Sequence, residues 1–552
     1  MVRTTIETLL KTQTMLESRR HNFDSYWQVA KEVYWPDAAD FNIHRTQGTA
    51  RSQAIFDGTG VIALERFGAV MESLLTPRGS IWHNLRASNE ELNEIPEVKE
   101  YFATLNRILF AVRSRPSARF YAQKEQDYKS LGCTGNSCTR VELSKDKRGL
   151  SYRSVHVGDV WIAIDDEGAP DTIYHKRKLT ALEAVSMWGK RATRSARQSM
   201  ERGDIMDEHE YLHVVQPRDL ATWDPERLDA RGRRFESFEI CVEDKEPILT
   251  DGGEESDGYH EQPYVYARFT TNSQEDYGRG PSMWTLPANL TLQSMKRSTI
   301  KQGEKAVSPP LLSHAMQFKG DGRGTLNLRA NALNPGWLDA NGNPRVRPFD
   351  NQFKYDIARE MIEDERAAIR DAHFVTLFQI LVDTAQMTAT EAMIRAREKA
   401  ALIGPTIGRQ QSESLGPMIQ RELGLLDRAK LLPPPPPVLL EAGDEYEVEY
   451  ESEATALQRE SELNRVRAWF EDLALIQEVT GDRTVGLVAN GKETARYMAN
   501  GRNVPPELVM SERRVKAQVD EMAAAAEEQA QAEQLPNQAR AARDFAAAQA
   551  AA

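Results

Sequence analysis

Two runs of helical periodicity that bracket a stretch unable to be helix constrain this chain more than any other feature. The first runs from about Ser282 to Val307, its apolar Met283, Leu286, Leu290 and Met295 giving way to the polar run Lys296 to Lys305. At ~1.5 Å per residue such a helix is roughly 35–40 Å long. The second starts near Asn351 and carries Ile357, Met361, Ile362 and Ile369, with Glu363 three residues before Arg366, a spacing that pairs charges on a helix. Between them, Ser308 to Asp350 holds Pro309-Pro310, Asn334-Pro335-Gly336 and the hairpin-type pair Asn341-Gly342, which helices exclude. A loop from about His373 to Met387 follows, then Thr388 with Glu391 three residues on. That is a capping box, opening a helix from Ala389 to Ile403 that stops at Gly404-Pro405. A polar helix pair around an irregular excursion cannot build a core alone, so an oligomer is expected.

Upstream, residues 4 to 33 read as helix, opened by a Thr4/Glu7 capping box, with Leu9, Leu10, Phe23, Trp27 and Ala30 at helical spacing. Further helices are expected over Val61 to Leu75 and Glu97 to Arg113. From about Tyr152 the period changes to two: Val155 and Val157, then Val160, Ile162 and Ile164, reach a turn at Asp165 to Gly168. Asp171 to Lys178 returns as a strand, and Thr180 with Glu183 caps a short helix that ends at Gly189. More strands follow at Glu210 to Val215, Phe235 to Val242 and Tyr264 to Phe269. The block is α+β, helices before sheet, and the whole chain is mainly helical. Thr406 to Lys430 continues as helix, interrupted near Gly416-Pro417, and Pro433 to Pro437 form a stiff spacer and domain boundary. Beyond it Glu445 to Tyr450 alternates as one strand. Ala456 to Val479 is helical through Leu463, Val466, Phe470 and Leu473, and helix resumes from Glu507. The last 38 residues contain 16 Ala with Gln and Glu, a tail that is helical only when neighbours bundle with it.

Composition narrows the function classes. With 40% hydrophobic and 28% charged residues, 552 residues suffice for about two to four globular domains. No secretory h-region opens the sequence and no window reaches 18 consecutive apolar residues, so neither a signal nor a membrane span is expected. Cys133, Cys138 and Cys241 are too few for a disulfide framework and read as buried thiols. A net charge of −13 argues against a protein that grips nucleic acid all over. The sign is uneven: Pro281 to Asp350 has nine Lys/Arg against four Asp/Glu, +5, leaving −18 elsewhere. That segment is either a solvated or interface-facing patch, or a basic surface near DNA or an acidic partner.

Enzyme motifs are weak. His209-Glu210-Tyr211-Leu212-His213 fits the zinc-protease pattern, which needs both imidazoles on one helix face. Tyr211, Val214, Val215 and Pro217 favour a strand instead, where residues four apart lie ~13 Å from each other, and a strand end with partly exposed histidines is the reading adopted. Gly320 to Gly324 lacks the Lys-Ser/Thr of a phosphate loop and reads as a flexible turn, and Gly278-Arg279-Gly280 lacks a third glycine. Asp165, Asp166 and Glu167 are solvated acids at a hairpin tip. No catalytic residue, metal ligand or cofactor is assigned. In Phe374 to Thr390 the only formal charge is Asp383, and from the residues alone Leu377, Phe378, Ile380 and Leu381 are expected to pack in a core.

The order of these elements resembles the portal proteins, or head-to-tail connectors, of short-tailed bacteriophages (podoviruses). The resemblance rests on Gly278-Arg279-Gly280-Pro281-Ser282-Met283-Trp284, Pro309-Pro310-Leu311-Leu312, Met387-Thr388-Ala389-Thr390-Glu391, and Leu431-Leu432 before the prolines. Phe56-Asp57 to Leu75-Thr76-Pro77 and Gly158-Asp159-Val160-Trp161-Ile162-Ala163 match as well, so it spans about Phe23 to Ser511.

The resemblance implies a ring-forming portal fold. Residues 1–280 with 389–432 are its wing, 281–307 and 351–373 its stem helices, 308–350 its clip, 374–388 its channel loop, 433–437 a linker and 438–552 a helical crown. It implies a non-enzymatic ring, normally a dodecamer, at one capsid vertex of the virion, made in the host cytoplasm. Double-stranded DNA is packaged through it by a terminase motor and later ejected, and a tail adaptor, the major capsid protein and scaffold or internal core proteins are its partners, with no membrane. Gln379, Asp383, Thr384, Gln386 and Thr388 then face the DNA, with Thr388 and Glu391 capping the next helix. Lys296, Arg297, Lys301 and Lys305 form a basic stem face, and Lys319, Arg323, Arg329, Trp337, Arg345 and Arg347 a clip interface. The alternatives are a tail-adaptor or scaffold protein without a channel and, further off, a zinc protease at His209, Glu210 and His213.

Overall fold

A computed structural model describes residues 5–376 and 403–510 with interruptions, chiefly 314–326, 345–354, 482–487 and 502–509, and isolated positions to 521. The chain divides into two compact units, Met1–Trp82 with Arg107–Pro433, and His83–Asn106 with Pro434–Ala552.

In the first unit a 29-residue helix, α1 (Ile6–Tyr34), is the longest element. Its N-cap is Thr5 rather than Thr4: the Thr5 Oγ1 accepts the Thr8 amide at 3.3 Å. Two adjacent threonines offer the same hydroxyl, and only the extended backbone at Thr5 decides between them. The first half of α1 packs Leu9 and Leu16 on Trp161, Tyr174, Leu212, Val214, Phe238 and Ile240, one face of the larger sheet. Its middle sends Trp27 into a core with Val160, Ile162, Ile173, Tyr264, Tyr266, Tyr277 and Met283. The Trp27 and Tyr277 rings meet edge to face at 5.5 Å. Its last turns join a helical hub formed with α2 (Thr59–Leu75) and α3 (Phe120–Thr134).

Two antiparallel sheets follow. β1 (Asn136–Leu143) lies at the centre of three strands, between β2 (Leu150–Ser154) and, later in the chain, Tyr264–Arg268. β3 (Val160–Ile164), β4 (Pro170–Thr180), β5 (Glu208–Pro217) and β6 (Phe235–Cys241) run side by side in a six-stranded sheet. The alternation expected from Val155 through Ile164 is not one strand. A 3-10 turn at Val157–Asp159 separates the sheets, because the His156 Nδ1 accepts the Gly158 amide at 3.1 Å and folds the chain back. The Thr180/Glu183 capping box forms as read, and the helix Ala181–Trp188 ends at Gly189.

The expected helix from Ser282 is broken. A single turn, Pro281–Trp284, precedes α4 (Leu286–Val307), with Pro287 in its first turn. A continuous helix would set the Pro287 ring against the Met283 carbonyl, so the chain steps at Thr285 (φ −95°, ψ 8°), and that carbonyl accepts the Tyr26 hydroxyl at 2.6 Å instead. α5 (Tyr355–Ala372) packs against α4, and the Arg366–Glu363 pair forms at 2.6 Å. Within the intervening stretch Leu311–Ser313 pairs in parallel with Leu333–Pro335. The Asn341-Gly342 turn is present, with Gly342 at φ +84° and Asp339 Oδ1 accepting the amides of Asn341 and Asn343. Near Gly416 the helix does not stop. It widens into a π-turn over Gln411–Leu415 and re-enters α-geometry as α6 (Gly416–Arg428). The loop, helix and cap read over 377–402, including the Thr388/Glu391 box, lie outside the described residues, as does the tail beyond 521.

In the second unit the strand Tyr446–Tyr450 finds its partner far upstream, at His83–Ala87. Read from sequence, 83–106 belongs with the first block, since a pairing that reaches back over 350 residues leaves no local signal. The unit also holds the helices Glu90–Asn93, Pro437–Ala442, Glu453–Thr480 and Gly491–Gly501 and the first turns of the helix Pro96–Arg113. Among the described residues no helix is long and apolar enough to cross a membrane.

Candidate functional site

The residues that fasten the helix pair to the first unit gather where Phe56-Asp57, the Gly278 to Trp284 crossing and the end of α5 meet. Asp57 is buried and central. Its carboxylate accepts from the Thr59 amide and hydroxyl at 2.9 and 2.5 Å and from Arg366 Nη2 and Nε at 2.5 and 3.1 Å. Burial alone would raise its pKa, but the Thr59 and Arg366 donors outweigh that and hold it below the ordinary carboxylate value. Gln293 of α4 closes the knot: its Oε1 accepts the amides of Phe56 and Asp57 at 2.7 and 2.9 Å, and its Nε2 donates to Asp57 O at 2.8 Å. One loop thus ties α4 to α5. α2 approaches α4 so closely that a Cβ on Gly60 would stand 2.3 Å from the Asn289 amide.

The Gly-Arg-Gly-Pro crossing is equally tight. A Cβ on Gly280 would lie 2.6 Å from Gly132 O and 2.7 Å from Leu131 O, so only glycine passes the end of α3. Asn136 clamps the crossing, accepting from the Gly278 amide at 2.8 Å and donating to Gly278 O at 3.0 Å. Two residues on, the buried Ser282 meets His373 Nε2 at 2.8 Å, while His373 Nδ1 lies 2.8 Å from Ile369 O. A carbonyl only accepts, so Nδ1 carries the proton and Nε2 accepts from the Ser282 hydroxyl. Burial pushes His373 down to about 4, keeping the ring neutral. It stacks on Tyr34 at 5.3 Å. Phe374, next in the chain, takes φ +59° and stacks on Phe67 at 6.0 Å. An aromatic residue in the left-handed region costs roughly 1–3 kcal/mol and persists only where the surrounding packing fixes it. The root of the segment that begins at Phe374 is therefore held rigidly.

Sequence reasoning found the elements here but missed Asp57–Arg366–Gln293 and Ser282–His373 as contacts. A polar Gln293 on an otherwise amphipathic helix and a Gly beside a helix start were the only local signals. Of the stem cations, Arg297 and Lys301 are exposed, Lys296 is half-buried, and Lys305 lies on α4 with its side chain outside the description. The Arg297 guanidinium sits 5.7 Å from the Phe56 ring centroid. Arg329 is exposed and Trp337 half-buried; Lys319, Arg323, Arg345, Arg347, the Gly320 to Gly324 turn, Gln379, Asp383, Thr384, Gln386, Thr388 and Glu391 lie outside the described residues.

The metalloprotease pattern falls on β5, a strand, so His209 and His213 lack the helical spacing a shared zinc needs. They are buried, not partly exposed as expected, because the sheet face they line is covered. His209 pairs with Glu243 at 2.9 Å. His213 and His175 both hydrogen-bond the Tyr264 hydroxyl, at 2.7 and 2.9 Å. Burial drives His213 well below its ordinary pKa and His175 to about 3. Among the described residues no group of three His, Cys, Asp or Glu is placed to hold a metal.

Two known proteins resemble the chain across most of its length. One, named a probable portal protein of Bordetella phage BPP-1, is 26% identical over 477 residues, covering 85% of this chain and 82% of that protein. The other, the portal protein of Salmonella phage epsilon15, is 25% identical over 455 residues, covering 80% and 78%. The family described as bacteriophage head to tail connecting protein matches residues 6–509, taking in every element that meets at the Asp57 and His373 knots. The chain belongs to the bacteriophage head-to-tail connecting protein family.

Proposed function

We propose that this protein is the portal subunit of a short-tailed phage, and that copies close into a ring at one capsid vertex, as the sequence resemblance implies. Double-stranded DNA passes through that ring, driven in by a terminase and later released, and the tail attaches to its outer end. The observation that carries the proposal is the paired, firmly rooted α4 and α5, whose outward positions Arg297 and Lys301 stay exposed. A helix pair held so rigidly at its base, with polar outer positions, suits side-by-side packing around an axis. In this reading residues 1–280 and 389–432 are the wing, 281–307 and 351–373 the stem, 308–350 the clip, 374–388 the channel loop and 438–552 the crown. The fixed backbone at Phe374 would aim that loop. Capsid, tail and motor contacts follow from the same placement, and the role is structural rather than enzymatic.

Negative-stain images of the purified protein test it directly: rings with an open pore are expected, and a monomer at every concentration and in a capsid-assembly background would end it. Within a ring, Thr388→Ala with Glu391→Ala should impair packaging while assembly persists. Wild-type packaging by that variant would remove the channel loop from the mechanism.

A further inference from the structure

Two neighbouring turns of the first unit concentrate exposed cations far from the stem in sequence: the connection from Ser114 to Arg119, and the β1–β2 hairpin tip from Ser144 to Gly149. Arg115, Arg119, Lys145, Lys147 and Arg148 are all exposed. Among the described residues none of the five has an ion-pair partner. The turns are fastened together, Arg115 Nη1 donating to Arg148 O at 2.5 Å and the Tyr152 amide to Ala118 O at 3.2 Å. The one carboxylate in either turn is Asp146, which accepts the Arg148 amide at 3.1 Å, and Glu142 on the adjoining strand is engaged by Arg140. Four net positive charges therefore face solvent on a chain of net charge −13.

Two of these cations occupy backbone positions that favour glycine or asparagine, Arg119 at φ +58° and Lys147 at φ +55°. The composition around them separates the possible partners. Protein interfaces are enriched in aromatic residues, Met and Arg and depleted in Lys and Ser, whereas phosphate backbones are met by Lys, Arg and Ser, so Lys145, Lys147 and the serines beside them are what distinguishes the two. Among the described residues no large apolar side chain is exposed between Ile81 and Leu182, and Ser114, Pro116 and Ser117 are the exposed neighbours in the first turn.

We propose that this cationic knuckle binds the phosphate backbone of duplex DNA without reading its sequence. The contact is separate from the channel assigned above and stands whether or not copies close into a ring. Binding of a fluorescent random-sequence duplex to the full-length protein, across a salt series, is the test. Lys145→Gln with Lys147→Asn and Arg148→Gln keeps a residue suited to the left-handed position. It should weaken binding ~100-fold at low salt and lower the logarithmic salt slope by about 3, near 0.9 for each phosphate no longer neutralised. Arg115→Gln alone should lower the slope by about 1. A hairpin variant that binds like the wild type, with an unaltered melting profile, overturns the proposal. So does a wild type without salt-dependent binding, or a hairpin variant that loses a polyglutamate ligand but keeps DNA, which would assign the surface to an acidic protein.

Discussion

Two helices of nearly equal length set the two units apart. α1 has 29 residues and the helix Glu453–Thr480 has 28, and each carries a tryptophan past its midpoint. Trp27 is fully buried, wrapped by both sheets of the first unit, whereas Trp469 is 42% exposed and shares its helix with exposed Leu475, Ile476 and Val479. The local chemistry is alike; what differs is whether anything lies across the apolar face. The first unit covers its own helix. The second, built on a two-stranded sheet that is marginal by itself, leaves its helix open among the described residues. Stability should accordingly reside in the first unit.

Mutations can break that contrast. Trp27→Ala opens a cavity against Tyr277 and Val160 and should cost about 3–5 kcal/mol, read as a fall in the urea midpoint of the first unit. A loss below about 1 kcal/mol would mean the core is not organised around Trp27. Next in size is Glu422→Gln. Glu422 and Arg113 are both fully buried, and the Tyr152 hydroxyl donates to Glu422 at 2.6 Å. Removing the carboxylate charge strands the guanidinium, at a cost of about 3–4 kcal/mol. Asp57→Ala should cost about 2 kcal/mol and accelerate hydrogen exchange in α4 and α5 more than in the sheets; uniform exchange would deny the knot its role. At the small end, Trp469→Ser should change monomer stability by no more than ~0.5 kcal/mol, measured in the same urea series.

Acid sharpens the same contrast. The folded state holds His373 down to about 4, while the unfolded chain takes up a proton near its ordinary value. The stability carried by the neutral ring is whole above that ordinary value and drains away as pH falls toward about 4. His175 and His213 act in the same direction. His373→Gln should therefore flatten the acid side of the stability curve, and an unchanged curve would show that the ring is not the buried group assigned here.

Much of the architecture was legible because it is local. The capping box at Thr180 needs only two residues at the right spacing, and the period-two pattern of β4 and β5 is written in their own side chains. Two errors passed over short-range signals, and a third lay in a pairing that no local signal carries. A proline at 287 implies a step only once its ring meets the Met283 carbonyl, and the Val155 to Ile164 alternation hides a change of sheet that His156 enforces. The strand Tyr446–Tyr450 announced itself, but nothing near it pointed to His83–Ala87.

The candidate site divides along the same line. The sequence alone determined the family likeness, the helix–excursion–helix order and the strand at His209 to His213, since periodicity, proline and β-branched residues act within a few positions. Only the tertiary structure decided that Asp57 joins α4 to α5, that Ser282 meets His373, and that Arg115 stands beside Arg148. Those contacts link residues 33 to 309 positions apart, and a chain's choice among distant polar partners is made by what else must be buried at the same place.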